Sequence, residues 1–116
     1  MDIEVSAKAK YVHMSPRKVK LVVDLVRGKG VSEAMTILKF STKAAARPVA
    51  KVIRSAAANA DEHYGLSPDE LYVARIYADE GPTLKRMRFG ARGRFKPILK
   101  RSTHITVVLE NIGEMV

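Results

Sequence analysis

No cysteine occurs among the 116 residues. Disulfides and thiolate metal sites are thereby excluded, which fits a reducing compartment. No stretch approaches the roughly 18 consecutive apolar residues of a membrane helix. The opening MDIEVSAKAK lacks the apolar run of a signal peptide. A soluble, cytoplasmic protein is the expectation. His13, His63 and His104 stand far apart, with no HExxH pair among them, so no zinc site is indicated. No GxSxG context presents a serine nucleophile. Gly28-Lys29-Gly30 has no third glycine at dinucleotide-loop spacing and follows no strand. The acidic pairs Asp61-Glu62, Asp69-Glu70 and Asp79-Glu80 fall at expected turns and element ends. Carboxylates there serve capping and solubility more readily than Mg²⁺ chemistry. The expectation is a protein that is no enzyme and holds no cofactor or metal.

A further absence is local. From Lys85 to Arg101 the chain reads KRMRFGARGRFKPILKR, 17 residues without one acid. Eight cations stand in that window: Lys85, Arg86, Arg88, Arg92, Arg94, Lys96, Lys100 and Arg101. They account for nearly all of the formal net charge of +9. The positive charge is thus a local device, and with a pI near 10 it points to a polyanion, nucleic acid above all.

At 116 residues and 47% hydrophobic content, one domain with a modest core is expected across residues 1–116. Ile3, Val5, Ala7, Ala9 and Tyr11 alternate with polar residues and predict a strand with one buried face. Ser15-Pro16 predicts a helix start, with Ser as cap and Pro in the first turn. Val19, Val22, Val23 and Val26 then share one face, and Gly28 is the stop. Ser32 predicts the cap of a second, short helix with Ala34, Ile37 and Leu38 inward. A longer helix is expected over residues 43–63, burying Ala45, Val49, Val52, Ile53, Ala56 and Ala60. Pro48 makes its first turn irregular. After a turn at Ser67-Pro68-Asp69, the parity of Leu71 and Val73 differs from that of Ile76 and Ala78. Either a bulge near Ala74-Arg75 or burial of both strand faces accounts for that. Thr103, Ile105, Val107 and Leu109 form the inward face of the last strand.

The order is α+β: helices packed on one face of a small antiparallel sheet. Three strands and three helices would form the globular part, about residues 1–80 and 102–113. The basic window, about residues 81–101, is then a long protruding β-hairpin. Gly90 and Gly93 supply its turn, and arms of eight to ten residues would reach roughly 25–30 Å. Such an arm is expected to gain order on a partner that supplies negative charge. Phe89 and Phe95 suit base stacking or a pocket. Gly90-xx-Gly93 matches a KH-type clamp, but no helices flank it. A smaller cluster, Arg17, Lys18 and Lys20, crowds the start of the first helix, with Arg27 and Lys29 at its end. Cations at a helix N-terminus oppose its dipole, whereas a phosphate there is favoured, which makes this a second nucleic-acid contact.

Several runs together resemble the family of bacterial large-subunit ribosomal proteins L twenty-two, over nearly the whole chain. They are Ser15-Pro16-Arg17-Lys18-Val19 with Leu21 to Gly28, Ser55 to Ala60, Asp79-Glu80-Gly81-Pro82 with Leu84-Lys85-Arg86, Ala91 to Arg94, and Lys100 to Val108. The resemblance implies a structural protein that binds large-subunit rRNA, aids early assembly and meets neighbouring ribosomal proteins. It implies a hairpin that lines the nascent-peptide exit tunnel near the macrolide site, touching the nascent peptide. The rRNA-binding residues it implies are Arg17, Lys18, Lys85, Arg86, Arg92, Arg94, Lys100 and Arg101, to which the basic window adds Arg88 and Lys96. The tunnel-lining tip would comprise Met87, Arg88, Phe89, Gly90, Ala91, Arg92 and Gly93. The chain departs from the family pattern at Phe89, Gly90 and Phe95, where Pro, Arg and a small residue are usual, and at Pro48. The competing expectation is an architectural DNA-binding protein that embraces a duplex with a basic β-arm. A regulatory RNA-binding module is a third.

Overall fold

Strand β5 (Thr103–Asn111) lies at the centre of a three-stranded sheet, with β1 (Glu4–Val12) on one side and β2 (Leu71–Glu80) on the other, both antiparallel to it. Three helices join β1 to β2: α1 (Pro16–Val26), α2 (Val31–Lys39) and α3 (Ala46–Tyr64). A 3-10 turn, Pro68–Glu70, precedes β2. Between β2 and β5 the chain makes a separate antiparallel pair, β3 (Leu84–Phe89) and β4 (Phe95–Lys100). The computed structural model describes residues 3–82, 84–89 and 95–112, with the strands at 84–89 and 95–100 described by their backbone alone.

The core forms where two periodicities meet. Period-two alternation presents Ile105, Val107 and Leu109 of β5, all fully buried, toward the helices. The helical period presents Val19, Val22, Val23 and Val26 of α1 and Val49, Ile53, Ala56 and Ala60 of α3, also fully buried. Helix α3 packs across β1 and β5, and α1 across β2. The alanines of α3 let its backbone approach the sheet closely. Each fully buried Val, Ile or Leu contributes about 1.5–3 kcal/mol.

A bulge brings β2 into line. Its register against β5 slips between Val73↔Leu109 and Arg75↔Val108. Ala74 is the extra residue, so Leu71, Val73, Ile76 and Ala78 are all buried despite their mixed parity. The outer edge of β2 is covered near the bulge. The Gly28 amide donates to the Val73 carbonyl at 2.9 Å, and the Val73 amide donates to Lys29 at 2.8 Å.

Several local expectations are corrected. Strand β1 slips in register between Ala9 and Val12, and Tyr11 takes a positive φ of 59°, so Tyr11 is 58% exposed rather than inward. Gly30, not Ser32, occupies the cap position of α2, and the Ser32 hydroxyl donates to Asp69 at 2.6 Å. Ser15 does precede α1, yet its side chain makes no cap bond. Helix α3 starts at Ala46 rather than Lys43, which puts Pro48 in the first turn, where its missing N–H costs nothing. On the helix-free face of β5, Thr106 and Val108 are buried as well, because neighbouring strands flank them on both sides.

The molecule is elongated, with extents of 66 × 26 × 19 Å. Its radius of gyration is 17.4 Å, whereas a compact chain of this length would have about 13 Å. Among the described residues no helix is long and apolar enough to cross a membrane.

A candidate nucleic-acid interface on the arm and its root

The register of the arm sorts its residues. Leu84 pairs with Lys100, Arg86 with Ile98 and Arg88 with Lys96. Lys85 pairs with Leu99, Met87 with Pro97 and Phe89 with Phe95. Directly paired residues of an antiparallel ladder belong to one face, and successive pairs alternate. Four of the five strand cations, Arg86, Arg88, Lys96 and Lys100, therefore occupy positions on one face. Met87, Phe89, Phe95, Pro97 and Leu99 occupy positions on the other, with Lys85. Pro97 is tolerated because both strands of a two-stranded arm are edges. The register thus sorts the arm's positions onto two faces, one holding most of the strand cations and the other most of the apolar residues. Gly90, Ala91, Arg92, Gly93 and Arg94, expected at the tip, lie outside the described residues.

The root of the arm is built from close contacts. Glu80 pairs with Thr103 and Leu84 with Lys100, which brackets the root between the sheet and the arm. The Gly81 amide donates to the Ser102 carbonyl at 2.9 Å, and the Ser102 hydroxyl donates to the Pro82 carbonyl at 2.7 Å. A Cβ on Gly81 would stand 2.5 Å from Ser102 Oγ and 3.1 Å from His104 Cε1, so only glycine fits without rearrangement. The Thr103 hydroxyl, fully buried, donates to the Met14 carbonyl at 2.6 Å. Nδ1 of His104 accepts the Tyr11 amide at 3.0 Å, and the two rings meet edge to face at 4.9 Å. His104 is thus a bracket between β1 and the root. Arg101 is exposed.

Arg17 and Lys18 lie exposed in the first turn of α1, as expected. Lys18 lines a groove of about 370 Å³ with His13, Met14, Leu21, Lys43 and Ala44. Met14 joins this groove to the arm root through Thr103. Arg27, at the other end of α1, is engaged structurally: it bonds Asp24 at 2.6 Å and the Ile76 carbonyl at 2.9 Å. One acidic pair, Asp69-Glu70, also serves structure. Asp69 accepts from Ser32, and Glu70 accepts the Ser67 amide at 3.2 Å.

The helix-free face of the sheet carries one ionic cluster. Arg75 bonds Glu4 at 2.9 Å and approaches Glu110 at 3.8 Å, while the Tyr72 hydroxyl donates to Glu110 at 2.6 Å. Glu4 and Glu110 are direct cross-strand partners, a repulsive pairing that Arg75 offsets. The hydrogen bond from Arg75 holds the Glu4 carboxyl below its ordinary 4.5, and Glu4 in turn raises the Arg75 guanidinium.

Comparisons with known proteins agree with the arm and the body together. Residues 7–110 match the family described as ribosomal protein L22p/L17e. The chain is similar to a protein of Clostridium novyi (strain NT) named large ribosomal subunit protein uL22, 54% identical over 93% of this chain and 97% of that one. It is also similar to a protein of the same name from Desulfitobacterium hafniense (strain DSM 10664 / DCB-2), 55% identical over 91% of this chain and 93% of that one. These matches favour the ribosomal expectation over the DNA-binding one. The chain therefore belongs to the ribosomal protein L22p/L17e family, and is a structural, non-enzymatic protein of the large ribosomal subunit.

Proposed function

We propose that this chain binds large-subunit rRNA, holds rRNA segments together early in assembly, and extends its arm to the wall of the nascent-peptide exit tunnel near the macrolide site. The observation that carries this is the two-sided arm on a braced root. Its cationic positions, Arg86, Arg88, Lys96 and Lys100, neutralise phosphates that rRNA helices bring together. Its apolar positions, Met87, Phe89, Phe95 and Leu99, lie against bases or the tunnel surface. Lys85 and Arg101 continue the contact toward the root, and Arg17 and Lys18 hold RNA on the body. Arg92, Arg94 and the tip from Met87 to Gly93 meet the tunnel wall and, there, the nascent peptide.

The mechanism is positioning. Gly81, Ser102, Thr103 and His104 set the angle at which the arm leaves the sheet, so that rRNA meets a pre-aimed arm. The double variant Arg92→Glu, Arg94→Glu tests this. Weakened incorporation into large subunits, or altered macrolide footprints, with an unchanged globular fold is expected. Normal assembly with unchanged footprints would contradict it.

A further inference from the structure

Between the C-terminal end of α2 and the first half of α3 lies a groove of about 680 Å³. Lys39, Lys43, Arg47 and Arg54 all line it. They come from the last turn of α2, the α2–α3 connection and two turns of α3. From Lys39 to Ala60 the chain has no acid at all. Among the described residues none of the four forms an ion pair. The ring of the 76% exposed Phe40 lies 5.9 Å from the Lys39 ammonium. Within α3, Arg47 and Lys51 stand at i, i+4, a spacing at which like charges destabilise a helix. Lys39 is favourably placed, in the last turn of α2 and near the Phe40 ring, but Lys43, Arg47 and Arg54 have no ion-pair partner among the described residues, and a polyanion would supply one.

The groove is not isolated. It shares Lys43 and Ala44 with the smaller groove that Lys18 lines. Together they make a trough whose one end, at Met14, touches the arm root through Thr103, and whose other end is Arg54. A strand held on the arm has a continuous cationic path along the body.

We propose that this trough binds the sugar–phosphate backbone of an RNA strand through Lys18, Lys39, Lys43, Arg47 and Arg54, as a contact distinct from the arm. The inference rests on the rRNA-binding reading above. Aliphatic cations over a shallow apolar floor, here Met35 and Ala50, grip phosphates without reading bases, so the contact is sequence-independent.

Full-length protein and a large-subunit rRNA transcript, titrated across salt and footprinted by backbone cleavage, test it. The quadruple variant Lys39→Gln, Lys43→Gln, Arg47→Gln, Arg54→Gln is expected to flatten the log–log salt slope by about three units, at roughly 0.7–0.9 per lost phosphate contact. It should expose nucleotides different from those exposed by Arg86→Gln with Arg88→Gln. Its melting temperature should stay close to the parent's, because none of the four forms an ion pair among the described residues. An unchanged slope and footprint, with normal parental binding, would overturn the trough while leaving the rRNA reading intact. A large fall in melting temperature would make the cluster structural and overturn it too. Competition by poly-glutamate as strong as by RNA would assign the trough to an acidic protein segment instead. Absence of parental binding would overturn both readings.

Discussion

The Tyr11 amide donates to Nδ1 of His104 at 3.0 Å, across the slip in the β1–β5 register. The acceptor role places the ring proton on Nε2. Tyr11 has a positive φ of 59°, a costly conformation for a tyrosine, and the ring contact with His104 helps hold it. His104→Ala removes both the acceptor and the edge-to-face contact. It should destabilise the protein by about 1–2 kcal/mol, summing a net hydrogen bond with part of an aromatic pair. Chemical denaturation measures this, and an unchanged midpoint would contradict it.

Gly81 is the second lock on the arm root. Its missing Cβ leaves room for the Ser102 hydroxyl, which is held by Pro82 and has no freedom to swing away without losing that bond. Gly81→Ala should cost about 1–3 kcal/mol as an overpacking change. Adding Ser102→Ala removes the clashing oxygen, so the double variant should be less destabilised than the two single costs combined. A double-mutant cycle in urea gives the coupling, and strict additivity would mean that the two residues do not meet.

Acid should weaken the tie between the outer strands. The Glu4 carboxyl lies below its ordinary 4.5 because Arg75 bonds its charged form. A depressed carboxyl contributes stability above its unfolded value and loses it as pH falls through the folded value. The contribution is thus complete above about pH 4.5 and fades below it. Both partners are exposed, so the effect is small and screened by salt. Glu4→Gln should flatten the acid limb of a stability–pH profile and leave the neutral region nearly unmoved. A variant profile parallel to the parent's below pH 4.5 would contradict the assignment.

Much of this architecture was readable beforehand, for physical reasons that differ by element. The valines of α1 and the alternating residues of β5 are dense signals, because one period repeats many times in a short span. The bulge at Ala74 was readable as one of two options, since a parity break in an apolar run has few causes. The outward turn of Tyr11 was not readable, because it depends on an acceptor 93 residues away. The role of Ser32 is hidden in the sequence for a similar reason: its partner is Asp69, across the fold. The cationic arm announced itself by local density. The trough cations did not, because Lys39, Lys43, Arg47 and Arg54 are diluted among apolar residues until the α2–α3 turn gathers them.

The two faces of the arm should fail differently. Replacing Arg86 and Arg88 by Gln removes charge from one face, so rRNA binding should weaken with a shallower salt slope. Replacing Phe89 and Phe95 by Ser alters the other face, so binding should weaken with an unchanged slope. Base–aromatic stacking is worth about 1–3 kcal/mol per base, which sets the scale of the second loss. Filter binding across salt separates them, and identical slope changes in both variants would show that the arm has no such division.

The most direct test uses the absence of cysteine. A single Ala91→Cys protein, and a Ser67→Cys control on the body, can each carry a tethered iron chelate without side reactions at other thiols. Each is assembled into large subunits and activated to cleave nearby rRNA. The tip probe should cut nucleotides of the exit-tunnel wall near the macrolide site, and the body probe should cut a separate set away from that wall. A tip probe that cuts no nucleotide of the tunnel wall would contradict an arm that reaches the tunnel.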